Sequence, residues 1–203
     1  MAKTFEINLR KLGLSENYFG KDGALEYWQH PIDIGLKIQL NGKNIIDSEA
    51  FIKFHKYGYP EGHLHTFSRT LTTQFHKAFI DLIKGKEITS VQIEDHPYSL
   101  SIRKKSEDII EIKTNHGLSS DYSTGYLEIQ EDVIINDFFS EIVKTYEDFI
   151  NQSESCINRY RDIWEATSRE YDKDPQFENQ INYLKEALAD LKSELRKYES
   201  GTP

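Results

Sequence analysis

The sequence predicts an α+β protein: an antiparallel sheet, built from a hairpin and a meander, is flanked by helices and followed by a C-terminal antiparallel helical hairpin. Three observations predict this class. Apolar and polar residues alternate in two early segments, as they do in half-buried strands. Several short strand-like runs follow one helical segment, which is typical of an α+β arrangement. Near the C-terminus, apolar residues recur at alternating spacings of four and three, which is the heptad pattern of a packed helix.

Residues 4–12 and 32–40 are both predicted to be strands, and the second one opens a hairpin whose return segment contains Ile45 and Ile46. Phe5, Ile7 and Leu9 fall on one face of the first segment, and an unbroken alternation of apolar residues marks the second. Asn41-Gly42 follows directly, and this dipeptide readily adopts the positive φ angles of a type I′ turn.

A helical period then runs from residue 64 to residue 82, and Gly85 is the expected stop. Short turns separate the strand-like runs that come next. We therefore predict a meander with strands at residues 87–94, 98–104, 108–114 and 126–130.

From Asp132 onward the pattern is helical, and residues 151–155 are either a break or a solvated turn of the same helix. Asp174 and Pro175 suit the cap and first position of a final helix. The heptad stripe on that helix comprises Phe177, Ile181, Leu184, Leu188, Leu191, Leu195 and Tyr198. We predict an α+β domain over residues 1–152, and a helical hairpin or short coiled-coil arm over residues 153–203.

The stripe has two interpretations. A parallel dimer would gain no attractive pair between its flanking positions and would set Glu194 against Glu199, so packing within the chain is favoured. A dimer, or a helix supplied by a partner, is the alternative, and self-association through the C-terminal helix stays open.

The composition indicates the cellular compartment of the protein and the kinds of partner that its charge favours. Of the 203 residues only Cys156 is a cysteine, which excludes an internal disulfide framework and suggests a reducing compartment. The N-terminus does not resemble a secretory signal, and no apolar run approaches the ~20 residues of a membrane span. We expect a cytoplasmic protein without membrane contact. The net charge of −9 makes nucleic acid an unfavourable partner and is compatible with a basic protein.

Asp95, Glu111 and Lys113 are the candidate catalytic residues. In a strand Glu111 and Lys113 share one face while Ile110 and Ile112 enter the core. Two carboxylates and a lysine in this order resemble the reduced signature of the PD-(D/E)xK nucleases, and the resemblance spans residues 64–114. It implies Mg²⁺-dependent phosphodiester hydrolysis. The alternative is an amphipathic strand with opposite charges on its exposed face.

His63 and His65 are the candidate metal ligands, because an extended segment presents alternate imidazoles to the same side, and His76 could approach from the following helix. Surface or helix-capping histidines are the alternative. The sequence has no phosphate-binding P-loop, dinucleotide fingerprint or serine-hydrolase elbow, and we expect no cofactor.

An acidic segment over residues 128–148 predicts a docking surface for a basic partner. Its acids could instead stabilise the N-terminus of the helix by interacting with the positive end of the helix dipole. We expect the surface and the helical stripe to bind the partner through Glu141, Tyr146, Glu147, Tyr160, Ile181, Leu184, Leu188, Leu191 and Leu195.

These observations lead us to expect a non-catalytic, cytoplasmic protein-binding or inhibitor protein. In size, charge and layout the chain looks like the small acidic immunity or accessory proteins found beside bacterial toxins and phage-defence systems. The alternatives are the metal-dependent nuclease and a structural subunit of a larger assembly.

Overall fold

A computed structural model describes residues 3–10, 33–47, 49–50, 63–67, 70–94, 96–117, 124–166 and 175–200. Within these ranges the chain is an α+β protein with two four-stranded antiparallel sheets, one π-helix and three α-helices. The predicted fold class is confirmed, although the hairpin and the meander belong to separate sheets instead of one.

Sheet I contains the predicted hairpin. Its strands are β1 (Phe5–Leu9), β2 (Asp33–Leu40), β3 (Lys43–Asn44) and β4 (Leu64–Phe67). β2 pairs with the other three, and the turn after it places Asn41 at φ 50° and Gly42 at φ 76°. Both angles are positive, as a type I′ turn requires, so the predicted turn is confirmed.

Sheet II is the predicted meander. It consists of β5 (Ile88–Ile93), β6 (Tyr98–Lys104), β7 (Ile109–His116) and β8 (Gln130–Ile134), paired in chain order. The last strand was predicted at residues 126–130 and begins only at Gln130. The shift arises because Thr114 holds the preceding segment through its side chain: its hydroxyl lies 2.6 Å from the Leu127 carbonyl and 2.7 Å from the Ile129 amide.

The two sheets meet where Ile46 bridges Tyr126. The buried Tyr98 hydroxyl lies at this junction, 2.8 Å from the Ile45 carbonyl and 2.7 Å from the Leu127 carbonyl. Burial raises the pKa of Tyr98 because the phenolate would lose its hydration. The uncharged Tyr98 hydroxyl therefore links sheet I to sheet II by donating hydrogen bonds to backbone carbonyls.

The helix predicted from residue 64 is wrong in its first part. Leu64–Phe67 is β4, which pairs with Asp33–Leu36 of β2. The π-helix covers Thr70–Phe75, and α1 covers His76–Ile83. An available strand edge on β2 thus overrides the local helical period. Gly85 follows α1 at φ 79° and ends it as expected.

The carboxylate of Asp81 stabilises the connection between α1 and β5. Asp81 accepts hydrogen bonds from Lys77 (2.7 Å), Lys86 (3.2 Å) and the Thr89 hydroxyl (2.7 Å). Burial alone would raise the pKa of Asp81, but these donors outweigh it and lower the pKa to about 2. The helix and the strand are therefore tied by one ionised side chain.

Helix α2 (Ile135–Ala166) continues through residues 151–155 without a break, and α3 (Pro175–Ser200) begins at the predicted proline. Lys192 pairs with Glu147, and Lys185 pairs with Glu154 at 2.5 Å, so the contacts run in opposite directions along the two helices. Residues 167–174 lie outside the described part of the chain. The helical hairpin, and the domain boundary at residue 152, therefore stay predictions.

One apolar core joins the sheets and helices. It includes Phe5 and Ile38 of sheet I, Ile102 of sheet II, Phe138 of α2 and Leu191 of α3, each at most 1% exposed. Because Leu191 belongs to this core, the described part of the α3 stripe packs within its own chain. No described helix combines the length and the apolar character needed to cross a membrane.

Candidate functional site

Glu141, predicted as a docking residue, is an interior carboxylate. It is 2% exposed, and its Oε2 lies 2.5 Å from Nζ of Lys3. Its Oε1 accepts from the Ile7 amide at 3.4 Å and from Lys144 Nζ at 3.3 Å. The hydrogen bond to Glu141 raises the pKa of Lys3. The expectation that Glu141 stands on an exposed surface is wrong, because it ties β1 to α2.

The other acids of residues 128–148 also contact groups of the same chain. Their partners come from sheet I, from sheet II and from both long helices. The pairs are Glu128 with His116 (3.5 Å), Glu131 with Lys43 (2.5 Å), Asp132 with Lys105 (2.9 Å), Asp137 with the Thr4 amide (2.7 Å), Glu147 with Lys192, and Asp148 with Lys144 (3.6 Å). The acids of this segment therefore act as internal tethers, in the sense that each contacts a group of its own chain, although Glu128 and Asp132 stay 73% and 54% exposed.

Tyr146, predicted as an exposed anchor, is 0% exposed. Its hydroxyl donates to the Thr72 carbonyl at 3.4 Å, and its ring lies 6.2 Å from that of His76. Burial lowers the pKa of His76 although Asp190 on α3 raises it. The expectation that Tyr146 is accessible to a partner is therefore wrong.

The predicted helical stripe divides into buried and partly buried positions. Leu191 is fully buried, whereas Leu184, Leu188 and Leu195 pack against the core with part of their surface still exposed. The side chains of Tyr160 and Ile181 lie outside the described residues. Partner contact through this stripe stays a prediction.

Glu111 and Lys113 share the outer face of β7, while Ile110 and Ile112 are buried, as predicted. Glu111 Oε1 accepts from the Arg103 guanidinium at 2.8 Å, and Oε2 accepts from Nε2 of the Gln130 side chain at 2.9 Å. Each carboxylate oxygen thus already accepts a hydrogen bond from a neighbouring side chain. Asp95, the third member of the predicted site, lies outside the described residues.

The histidine site is described only in part. His63 lies next to β4 and is 8% exposed, while the side chain of His65 lies outside the described residues. His76 lies against Tyr146 on another element. In the described part of the chain, no three or more His, Cys, Asp or Glu side chains gather closely enough to hold a metal ion.

Sequence reasoning did not single out the outer face of sheet II, which we call the open face. The side chains on the opposite face, which include Val91, Leu100 and Ile102, are buried in the core. Strand pairing arranges the open face in three rows that cross the sheet. The rows are Ile88, Arg103, Glu111, Asp132; then Ser90, Ser101, Lys113, Gln130; then Gln92, Ser99, Asn115.

The rows differ in chemistry. The first carries charges that pair with one another or with Lys105. The middle row carries hydroxyl, ammonium and amide groups, and Lys113 is its only charge. Ser90, Ser101, Lys113 and Gln130 are all exposed. No aromatic side chain lies on these described rows, so the face lacks the stacking platform with which sheets bind single-stranded nucleic acids. The alternation of polar residues in β5–β7 is the signal that could have identified it.

Comparison of the chain with models of protein families, with curated proteins and with solved structures found no match.

Proposed function

We propose that this is a non-catalytic protein-binding protein that docks through the open face of sheet II. The observation that carries the proposal is the middle row, in which four neighbouring strands each present an exposed polar side chain on the same face of one sheet. An antiparallel sheet keeps one face in the core and offers the other to its surroundings.

The chemistry of the row indicates the partner. Lys113 takes part in no ion pair among the described residues, and the serine and glutamine side chains around it both donate and accept hydrogen bonds. We propose a protein partner that brings a carboxylate to Lys113 and polar groups to its neighbours. The basic partner expected from the sequence depended on acids that contact the chain itself. A cytoplasmic binding or inhibitor role of the immunity or defence-accessory kind is part of this proposal.

The nuclease alternative is not proposed. Glu111 already accepts hydrogen bonds of normal length from Arg103 and from the Gln130 side chain, so Mg²⁺ would compete with these contacts.

The test compares Lys113→Glu with a matched reversal, Arg196→Glu, on the exposed side of α3. Each tagged variant and the wild type are expressed in the native host, purified, and their bound proteins identified by mass spectrometry. We expect a protein that co-purifies stoichiometrically with the wild type and with Arg196→Glu but is lost with Lys113→Glu. Equal recovery of the same proteins with both variants would contradict the proposal.

A further inference from the structure

Strand β5 has an edge along which Ile88, Ser90 and Gln92 find no backbone partner among the described residues. The Lys104 amide donates to the Glu87 carbonyl at 2.8 Å, which sets the ladder between β5 and β6. In an antiparallel ladder alternate residues exchange both backbone bonds with the neighbour, so the backbone groups of Ile88, Ser90 and Gln92 point away from β6. Throughout the described residues, no backbone or side-chain group bonds to these outward backbone groups.

The other edge of sheet II is closed. The Ile134 amide donates to the Thr4 hydroxyl at 2.9 Å, and the Asn41 side chain donates to the Asp132 carbonyl at 3.1 Å. Proteins usually block an exposed edge with charges, proline or a bulge, because unpaired strands invite pairing with another chain. β5, with the sequence Ile-Thr-Ser-Val-Gln-Ile, carries neither a charge nor a proline. Among the described residues its edge is closed at the Glu94 end, where the Glu94 amide donates to the Thr70 hydroxyl of the neighbouring π-helix.

We propose that β5 pairs antiparallel with β5 of a second copy of this chain, which joins two copies of sheet II into one continuous sheet. The register that uses every outward residue sets Ser90 against Ser90 of the second copy on the two-fold axis, and Ile88 against Gln92. Serine is small enough for this close approach, and Ile88, which is 61% exposed, gains cover from the neighbouring strand.

The charges at the ends of the strand favour a second copy as the occupant. In the same register the side chain of Lys86, which also donates to Asp81 at 3.2 Å, lies opposite that of Glu94 of the second copy. The two-fold axis repeats this side-chain pair at the other end, although the Glu94 amide itself is already bonded to the Thr70 hydroxyl. A parallel pairing would bring like charges together instead. The inference rests on the backbone edge of β5 and not on the side chains of the docking face, although Ser90 belongs to both. It gives the assembly alternative a defined contact other than the C-terminal helix.

The experiment measures the mass of the wild-type chain by sedimentation over a range of concentrations, alongside three variants. Ser90→Pro removes both amides at the axis but none from the β5–β6 ladder, since a proline is tolerated where the amide faces outward. Ser90→Lys sets like charges at the axis. Ser101→Lys is the matched control, because it carries the same charge on the neighbouring strand, away from the axis.

We expect a wild-type dimer that dissociates on dilution, an increase in the dissociation constant of about thirtyfold for Ser90→Pro, a similar loss for Ser90→Lys, and a near-normal dimer for Ser101→Lys. A wild type that stays monomeric at submillimolar concentration would overturn the inference. So would a dimer that is insensitive to both Ser90 variants or equally weakened by Ser101→Lys.

Amide hydrogen exchange of the wild type keeps the inference testable if the Ser90 variants do not fold. The Ser90 and Gln92 amides should exchange more slowly as the protein concentration rises. Fast exchange of both amides at every concentration would overturn the proposed contact.

Discussion

Replacing Glu141 provides the sharpest test of the interpretation that the acidic segment acts as internal tethers. Glu141→Gln keeps the size of the side chain and removes its charge. Glu141→Lys reverses the charge beside Lys3 and Lys144. If Glu141 were a surface docking residue, both variants would fold normally and lose only a partner.

The expected cost follows from the surroundings of the carboxylate. Lys3 and Lys144 are 46% and 51% exposed, so each ion pair is screened by solvent and contributes about 0.5 kcal/mol. The glutamine oxygen can still accept from the Ile7 amide, but its own amide group is buried without an acceptor, at a cost of about 1 kcal/mol. We therefore expect Glu141→Gln to lower the free energy of unfolding by about 2 kcal/mol. For Glu141→Lys, which buries an unpaired cation, we expect about 4 kcal/mol.

Urea unfolding followed by far-ultraviolet circular dichroism measures these differences from the shift of the midpoint. Asp148→Asn is the matched control on the same helix: Asp148 is 47% exposed and pairs with Lys144 at 3.6 Å, so its loss should cost ~0.5 kcal/mol or less. The interpretation fails if Glu141→Gln unfolds within ~0.5 kcal/mol of the wild type. Charge reversal at Glu141 is accordingly a poor test of partner binding, whereas reversal at Lys113 leaves the core intact.

Three further predictions concern the core and its pH dependence. The pKa of His76 is lowered in the folded protein, so the unfolded chain binds the proton first and stability should fall as the pH drops below the ordinary value of 6.5; a urea midpoint in His76→Gln that falls as steeply as in the wild type would contradict this. Leu191→Ala should cost about 3 kcal/mol because the side chain is fully buried, and Leu188→Ala about 1.5 kcal/mol because it is only partly buried; equal midpoint shifts would argue against packing of α3 within the chain. Asp81 holds a pKa of about 2, so its stabilising effect should persist above pH 3.8 and disappear as the pH falls towards 2. Asp81→Asn should cost about 1 kcal/mol at neutral pH and nothing in strong acid, and thermal melts at both pH values provide the comparison.

The sequence predicted the elements whose pattern is local. The Asn41-Gly42 turn, strand β6 at Tyr98–Lys104, the end of α1 at Gly85 and the start of α3 at Pro175 all lie where predicted. Each depends on the backbone preferences of a few adjacent residues or on the alternation within one strand. Such signals need no information about the rest of the chain.

The elements that were predicted wrongly depend on distant partners. Leu64–Phe67 has a helical period but is a strand, because β2 offers it an edge. The meander and the hairpin belong to separate sheets, joined through Tyr98 and the Ile46–Tyr126 bridge. A sequence pattern records which face of an element is apolar, but it does not record which other element covers that face.

The candidate site shows the same division most clearly. The sequence by itself determined that residues 128–148 are acidic and that Glu111 and Lys113 share a face of one strand. Only the tertiary structure decided that Glu141 meets Lys3 in the interior and that Glu111 is held by Arg103. It also decided that, among the described residues, the middle of the β5 edge has no partner while the edge of β8 has one. The physical reason is that a charge or a backbone amide has no fixed role until folding determines which groups lie within hydrogen-bond distance of it.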